Sequence, residues 1–184
     1  MLLVAAAFTG LLVGLATGGS PRALLELRVR WPVVVLTALA VRLLGVFRPL
    51  ATWPITPLLF TASMVALVAW ALWHRSVLRG CCLVAFGQAM NLAVVLANSG
   101  RMPVTRAGAG AASSALVRRG VWGQHTLEGP CTRVDWLGDW VLVPPPLSRV
   151  FREVYSPGDL VVCLGLGLVF FLATRPPGLI RTQR

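Results

Sequence analysis

The stretch TPLLFTASMVALVAWALW, residues Thr56–Trp73, decides the fold class of this chain. It carries no charged residue, and a helix needs about 20 mostly apolar residues to cross the hydrocarbon core of a bilayer. Trp53 precedes it, and Trp70 and Trp73 end it, as in the aromatic belts found at membrane–water interfaces. The stretch therefore predicts a transmembrane helix.

Four further apolar stretches lie on either side, at about 1–17, 32–47, 78–98 and 157–174. The chain is 57% hydrophobic, whereas soluble domains are about 45–50% apolar. We therefore predict one membrane domain over residues 1–184. The predicted fold is an all-α integral membrane protein with five transmembrane helices. A long extramembrane connector, 99–156, would join the fourth helix to the fifth.

The formal net charge is +11, and every basic residue is an arginine. These arginines stand mainly at the ends of apolar segments and accompany no nucleic-acid-binding motif, so we expect the lipid bilayer, and no nucleic acid, as a partner. One predicted face holds eight of them, whereas the short opposite loop holds Arg48 alone and the long 99–156 connector on that side carries seven, a length of chain that can translocate regardless of its charge. The positive-inside rule then predicts that the N-terminus lies outside and the C-terminus lies in the cytoplasm. The eight are Arg22, Arg28, Arg30, Arg75, Arg79, Arg175, Arg181 and Arg184.

Glycines recur at four-residue spacing in the first segment, at Gly10, Gly14 and Gly18. On a helix they would form one face, which lets a second backbone approach closely. The spacing predicts helix packing, either within the chain or with a partner subunit in the membrane.

The fourth segment carries a polar stripe, because Gln88, Asn91 and Asn98 recur at spacings of three and seven. One interpretation is hydrogen bonding between helices, and the other is a polar cleft for a headgroup, a quinone or a small solute. Asn98 and Gly100 also suit a left-handed helix C-cap, with Arg101 beside the helix C-terminus. Asn98 and Arg101 are thus candidates for ligand binding, but the end of the helix also accounts for both residues without a ligand.

Arg42 lies inside the second segment, where a charge at mid-membrane would cost about 2.5–3.5 kcal/mol. Extension of its side chain to the interface would lower that cost, and a buried functional arginine is the alternative.

The connector contains Thr132-Arg-Val-Asp135, which predicts a capping box and a short interfacial helix. That helix would bring Asp135 and Asp139 together at i and i+4, as a pair able to bind a cation. Ser156-Pro-Gly-Asp159 predicts the start of the fifth helix, with Ser156 as N-cap and Asp159 at N3.

The sequence predicts no cofactor and no metal. The two histidines, His74 and His125, do not form a haem pair within the bundle, and the four cysteines form no C-x-x-C pair. Phosphate-binding loops and nucleophile elbows are also missing from the sequence.

Three motifs together, Asn98-Ser-Gly-Arg-Met-Pro-Val104, Leu137-Gly-Asp139 and Ser156-Pro-Gly-Asp159, resemble a family of small bacterial multi-pass membrane proteins. That family is catalogued only as a domain of unknown function. The resemblance covers the second half of the chain and implies an inner-membrane protein without an assigned activity. It implies family-type positions, which are Asn98, Gly100, Met102, Pro103, Asp139 and Asp159.

Two functions fit these features. The first is a non-enzymatic accessory subunit or binding module of a membrane assembly. The alternative is a small-solute transporter or a lipid-pathway membrane enzyme that uses a polar cleft beside the fourth helix. The ligand-binding candidates are Gln88, Asn91, Asn98, Arg101, Asp139 and Asp159.

Overall fold

The computed structural model describes residues 1–27, 29–44, 53–111, 121–122, 124–144 and 154–175. Four arginines that enter the predicted orientation, Arg28, Arg48, Arg181 and Arg184, lie outside these residues. The predicted end of the second span, at 45–47, lies outside them as well.

The described chain is mostly helical, as predicted. Its helices are α1 (Leu2–Ala16), α2 (Pro21–Leu25), α3 (Pro32–Leu44), α4 (Thr56–Trp73), α5 (Cys81–Ala97), α6 (Arg106–Ala111) and α7 (Pro157–Ala173). Among the described residues, α4 is the one helix both long and apolar enough to cross a membrane. Four shorter apolar helices accompany it, at the other four predicted spans.

The five apolar helices pack in the spatial order α3, α4, α5, α7, α1. Helices α1 and α7 run parallel, because Gly10 lies against Gly167 while Gly14 lies further along against Phe171. Helices α5 and α7 are antiparallel, since Gly80 faces Gly165 and Gly87 faces Gly158. We call the end of the bundle that carries residues 98–156 the connector end, and the other end the turn end.

Glycine makes the contact between α1 and α7 possible. A Cβ atom on Gly10 would overlap the carbonyl oxygen of Gly167, and one on Gly14 would lie 2.5 Å from Thr174 Oγ1. Gly18 behaves differently, because it follows the end of α1 with a φ of +89° and has open space where a Cβ would be. The face that packs within the chain therefore consists of Gly10 and Gly14, without Gly18.

The turn end is held by backbone and side-chain hydrogen bonds. His74 is buried and stacks on the Trp70 ring, with a centroid distance of 4.2 Å. Its Nε2 accepts a hydrogen bond of 3.1 Å from the Arg30 backbone N–H, and the Trp70 indole donates to the Arg30 carbonyl at 3.0 Å. The segment that precedes α3 is thus fixed to the last turn of α4.

The connector forms two small sheets. In the first, β3 (His125–Leu127) pairs in parallel with β1 (Met102–Val104) and antiparallel with β2 (Val121–Trp122). In the second, β4 (Val141–Leu142) pairs antiparallel with β5 (Val154–Tyr155). Met102 and Leu137 are buried against Phe60, Met64 and Val94, which attaches the connector to α4 and α5.

The predicted interfacial helix at 132–140 is wrong. Residues Asp135–Leu137 form a single 3₁₀ turn, and Val134 precedes it with a φ of +54°. Thr132 does not cap this turn, because its Oγ1 accepts a hydrogen bond from the Gly129 N–H instead. Asp135 is exposed and Asp139 is buried, so the two do not form the predicted pair.

Gly87→Ala should destabilise the protein. The new Cβ would lie 2.5 Å from the Gly158 carbonyl oxygen and 2.7 Å from the Val162 nitrogen, and both atoms are backbone, so α5 and α7 must separate. Overpacking of this kind costs about 1–3 kcal/mol. Thermal unfolding of the protein in mild detergent measures it.

Gly129→Ala is the matched control, since a Cβ there meets nothing within 4 Å. It should leave stability within about 0.5 kcal/mol of the wild type. Equal midpoints for the two variants would contradict the close approach of α5 and α7.

Candidate functional site

The N-terminus of α7 is buried and closed by a capping box. The Ser156 Oγ accepts a hydrogen bond of 3.0 Å from the Asp159 N–H, and the Asp159 Oδ2 accepts one of 3.2 Å from the Ser156 N–H. Pro157 occupies the first helical position, where its missing N–H costs nothing. This confirms the predicted helix start and fixes the carboxylate of Asp159 at the connector end.

Asn91 joins this cap to α5. Its Nδ2 donates to Asp159 Oδ1 at 2.7 Å, and its Oδ1 accepts from the Ser156 hydroxyl at 2.8 Å. A Cβ atom on Gly158 would overlap the Asn91 side-chain oxygen, so the glycine leaves room for the amide. Two buried polar groups are thereby paired, which avoids a cost of about 1–3 kcal/mol for each unsatisfied one.

Asp139 reaches the same region from the connector. Its backbone N–H donates to the Pro103 carbonyl at 2.8 Å, and its carbonyl accepts from the Thr105 N–H at 3.1 Å. The carboxyl group is buried, and its Oδ2 lies 3.5 Å from His125 Nε2. Its Oδ1 has no hydrogen-bond partner among the described residues.

Burial raises the pKa of Asp139 well above its ordinary value of 3.8, and the negative charge of Asp159 adds to the rise while Arg42 opposes it. Burial lowers the pKa of His125 to about 4, with Asp159 opposing and Arg42 reinforcing the change. Loss of hydration is larger for Asp139 than for His125, because the Asp139 side chain is 7% exposed whereas that of His125 is 30% exposed. Both shifts favour the uncharged forms, so the contact at 3.5 Å is closer to a neutral pair than to an ion pair.

Arg42 comes from the last turn of α3. Its guanidinium carbon lies 5.5 Å from the centre of the Phe60 ring, within the range of a cation–π contact. The Nε atom is buried and has no hydrogen-bond partner in the described part of the chain. A buried donor without a partner marks a place where a ligand or water would be stabilised.

These side chains surround one cavity of about 50 Å³, which we call the polar cavity. That volume accommodates one or two water molecules or a single small polar group. Phe60, Met64 and Met102 supply its apolar wall. Its polar lining consists of Arg42, Asn91, Gln124, His125, Asp139 and Asp159.

The polar cavity carries both signs of charge. Asp159 supplies a carboxylate, Arg42 supplies a cation, and Asp139 supplies a carboxyl group whose burial favours the uncharged form. Arg42 Nε and Asp139 Oδ1 are a polar donor and a polar oxygen without a hydrogen-bond partner among the described residues. A group that both accepts and donates hydrogen bonds would satisfy them together. Within the described ranges, no three His, Cys, Asp or Glu side chains are placed to hold a metal ion.

The structure brings together three of the six predicted ligand-binding residues, Asn91, Asp139 and Asp159. Gln88 is buried about one turn deeper in α5, and its Nε2 has no partner among the described residues. Asn98 does not line the cavity, because its side chain bonds the Val94 carbonyl and the backbone of Arg133.

Arg101 does not line the cavity either. The left-handed turn after α5 belongs to Ser99 and Gly100, with φ values of +56° and +79°, rather than to Asn98.

Three polar residues of the cavity, Arg42, Gln124 and His125, were not among the predicted candidates. The sequence did point to Arg42, because it is a charged residue inside an apolar segment. A buried functional arginine was one interpretation of it, and extension of the side chain to the interface was the other. Gln124 and His125 had no signal in the sequence that pointed to this cavity. They reach it through the pairing of β3 with β1 and β2, which the spacing of residues along the chain does not reveal.

The chain belongs to a family of unknown function, DUF5317, whose model matches residues 26–172. This confirms the resemblance to a family catalogued only as a domain of unknown function, and the match extends further towards the N-terminus than the motifs did. No curated protein and no solved structure matches the chain.

His125→Gln should remove a pH dependence of stability. The folded-state pKa of His125, about 4, lies below its ordinary 6.5, so the unfolded state binds more protons between these values. Wild-type stability should therefore fall as the pH decreases from about 6.5 to about 4. Unfolding midpoints of wild type and variant across this range measure the difference.

The contribution of Asp139 has the opposite sign, because a raised pKa stabilises the protein at low pH and is lost as the pH rises through it. The contribution of Asp139 is present in both wild type and His125→Gln, so the difference between their unfolding midpoints measures the contribution of His125. At pH 7.5–8 the two curves should run parallel. Parallel curves down to pH 4 would show that His125 is not shifted.

Proposed function

We propose that this chain is a multi-pass protein of the bacterial inner membrane that acts as a non-enzymatic binding module. Helices α1, α3, α4, α5 and α7 would cross the bilayer, and the polar cavity at the connector end would hold a small polar ligand. The one observation that carries the binding role is that Arg42 Nε and Asp139 Oδ1, both buried on a single cavity, have no hydrogen-bond partner in the described ranges of the chain.

The apolar outer surface supports the membrane part of the proposal. Each of the five helices exposes large apolar side chains, and contiguous patches of this kind on soluble monomers rarely exceed a few hundred Å². Lipid would solvate these side chains at no cost. The most exposed examples, one from each helix, are Val4, Leu36, Leu58, Phe86 and Leu164.

Helix length is compatible with crossing. The five helices have 13 to 18 residues, which at 1.5 Å per residue gives about 20–27 Å. The hydrocarbon core is about 30 Å thick, so adjoining residues or local thinning of the bilayer would complete the span. Trp31, Trp53 and Trp73 stand at helix ends and are exposed, as interfacial anchors are.

Charge distribution supports an orientation. Of the nine described arginines, five lie at or beyond the turn end and four lie at the connector end, three of them on the long connector. Because the positive-inside rule weighs short loops and tails near the ends of spans, it favours the turn end as the cytoplasmic one. The connector and the polar cavity would then face outside. The five are Arg22, Arg30, Arg75, Arg79 and Arg175.

The glycine face gives little support to an accessory-subunit role. Gly10 and Gly14 are covered by α7 of the same chain, so they are not free to dock a partner helix. Binding of a small polar ligand is therefore the main part of the proposed function, and membership of a larger membrane assembly is the secondary part.

A second candidate is the small-solute transporter or lipid-pathway enzyme. It is favoured by Gln88, which continues the polar stripe of Asn91 about one turn further into the bundle and has an unpaired buried Nε2 among the described residues. The side-chain amide of Gln88 would stabilise a polar molecule that moves from the polar cavity towards the middle of the bundle.

Cysteine labelling tests the orientation. Cys131 is exposed on the connector, so a variant that keeps only this cysteine should react with a membrane-impermeant maleimide in intact cells. A cysteine-free chain with Arg79→Cys, an exposed residue at the turn end, should react only after lysis. The reverse pattern would invert the topology, and recovery of the chain in the soluble fraction after carbonate washing would overturn the membrane role.

Native mass spectrometry of the full chain in mild detergent tests the binding role. Wild type should retain one bound polar molecule per chain, and Arg42→Gln and Asp139→Leu should lose it, because the first removes the Nε donor of the guanidinium and the second removes both carboxyl oxygens. Arg75→Gln, an exposed arginine at the turn end whose guanidinium bonds the Leu72 carbonyl, is the matched control and should retain it. Equal occupancy in all four proteins would contradict binding in the polar cavity.

A further inference from the structure

A tryptophan-rich turn on the connector exposes large apolar side chains that the proposed function does not use. Trp136 is 66% exposed and Trp140 is 48% exposed, and the exposed Val134 and Leu142 flank them in the sequence. We call residues 133–140 the tryptophan turn. Exposed apolar surface of this kind marks a place where a protein meets another molecule or a membrane.

The structure fixes the level of this turn along the bundle. Asn98, which follows α5, donates from Nδ2 to the Arg133 carbonyl at 2.7 Å and accepts at Oδ1 from the Arg133 N–H at 2.9 Å. Leu137 is buried in one cluster with Phe60 and Val94, which lie about one turn from the connector ends of α4 and α5. The tryptophan turn is therefore level with these helix ends, where a bilayer that the helices cross has its interface.

The backbone around Trp136 is paired within the chain. Its N–H donates to Asp135 Oδ1 at 2.9 Å, and its carbonyl accepts from the Trp140 indole N–H at 2.9 Å. The Asp135 carbonyl accepts from the Gly138 N–H at 2.7 Å. A segment that leaves water must satisfy its backbone groups internally, because acyl chains offer no hydrogen bonds. The backbone of Trp136 meets this condition although its side chain is exposed.

We propose that the tryptophan turn is an interfacial anchor that inserts Trp136 and Trp140 between the head groups and the upper acyl chains of the bilayer. Its partner is the phospholipid surface at the connector end. This inference rests on the proposed membrane location and extends it to the connector, which the apolar helices alone do not place.

The side chains of the turn suit the boundary between head groups and acyl chains. Tryptophan is enriched there because its ring is apolar and its N–H is polar. Trp53, exposed just before α4, stands at the same end of the bundle, so aromatic side chains from two segments mark one level.

Two charged side chains of the turn favour lipid over a protein partner. Arg133 and Asp135 are exposed beside the apolar residues. In the head-group region such charges stay hydrated, and an arginine there is attracted to anionic lipids. The core of a protein–protein interface is depleted of charged residues, so a partner protein fits this surface less well.

Spin labels on the full chain in vesicles of phosphatidylcholine and phosphatidylglycerol measure the depth of the turn. Single cysteines in a cysteine-free background are Trp136→Cys, Val65→Cys and the native Cys131. Val65 is exposed in the middle of α4 and reports the hydrocarbon core, whereas Cys131 is exposed on the connector outside the turn. Accessibility to oxygen, which concentrates in hydrocarbon, is compared with accessibility to a water-soluble nickel complex.

The ratio of oxygen to nickel accessibility at residue 136 should be higher than at Cys131 and lower than at residue 65. A ratio at residue 136 equal to or below that at Cys131, with residue 65 in hydrocarbon, would overturn the anchor and leave the membrane location intact. A label at residue 65 that is open to the nickel complex would overturn both.

Trp140→Phe tests the paired backbone. It keeps an aromatic ring but removes the N–H that pairs with the carbonyl of residue 136, so that carbonyl must find water and the label at residue 136 should become more accessible to nickel. Trp73→Phe, a change of an exposed tryptophan at the turn end, is the matched control and should leave this accessibility unchanged. Unfolding midpoints near the wild-type value show that both variants are folded.

Two further outcomes would contradict the inference. Equal nickel accessibility of residue 136 in Trp140→Phe and Trp73→Phe would overturn the role of the internal hydrogen bond. Protection of residue 136 in native membranes, together with full nickel accessibility in the lipid vesicles, would assign the turn to a protein partner instead of the phospholipid surface.

Discussion

The close approach of α7 to two neighbours at once is the constraint on which the rest of the structure depends. Its backbone touches α1 through Gly10 and Gly167 and touches α5 through Gly87 and Gly158. A Cβ atom on Gly10, Gly87 or Gly158 would overlap atoms of the facing helix. Dispersion and hydrogen bonding become strong at such distances, which matters most where lipid removes the hydrophobic drive between helices. The position of α7 then sets the position of Asp159, and with it one side of the polar cavity.

Charge burial at the connector end follows from this packing. Asn91 and Ser156 satisfy the oxygens of Asp159. Asp139 and Arg42 each have one atom on the same small cavity without a partner in the part of the chain that the structure describes. In surroundings of low dielectric an unpaired polar atom is costly, and this cost is the physical ground of the ligand binding proposed above.

Local rules predicted the ends of helices better than they predicted the site. The Ser156–Asp159 capping box was predictable because both hydrogen bonds join residues three apart in sequence. The same rule failed at Thr132, where the connector strands and a left-handed Val134 set the backbone and left Asp135–Leu137 as one 3₁₀ turn. Arg101 was a candidate because it lies beside the end of a helix. The arginine that lines the cavity is instead Arg42, which is far from Asp139 and Asp159 in sequence but near them in the folded chain.

The sequence by itself determined a mostly helical chain with five apolar helices, the first turn of the last helix and the family, because these depend on composition, residue order and short-range hydrogen bonds. Only the tertiary structure decided that Arg42, His125, Asp139 and Asp159 share one cavity. Those residues come from α3, the connector and α7, and their meeting depends on which helices pack side by side. Helix packing is set by shape complementarity between distant segments, which the spacing of residues along the chain does not encode.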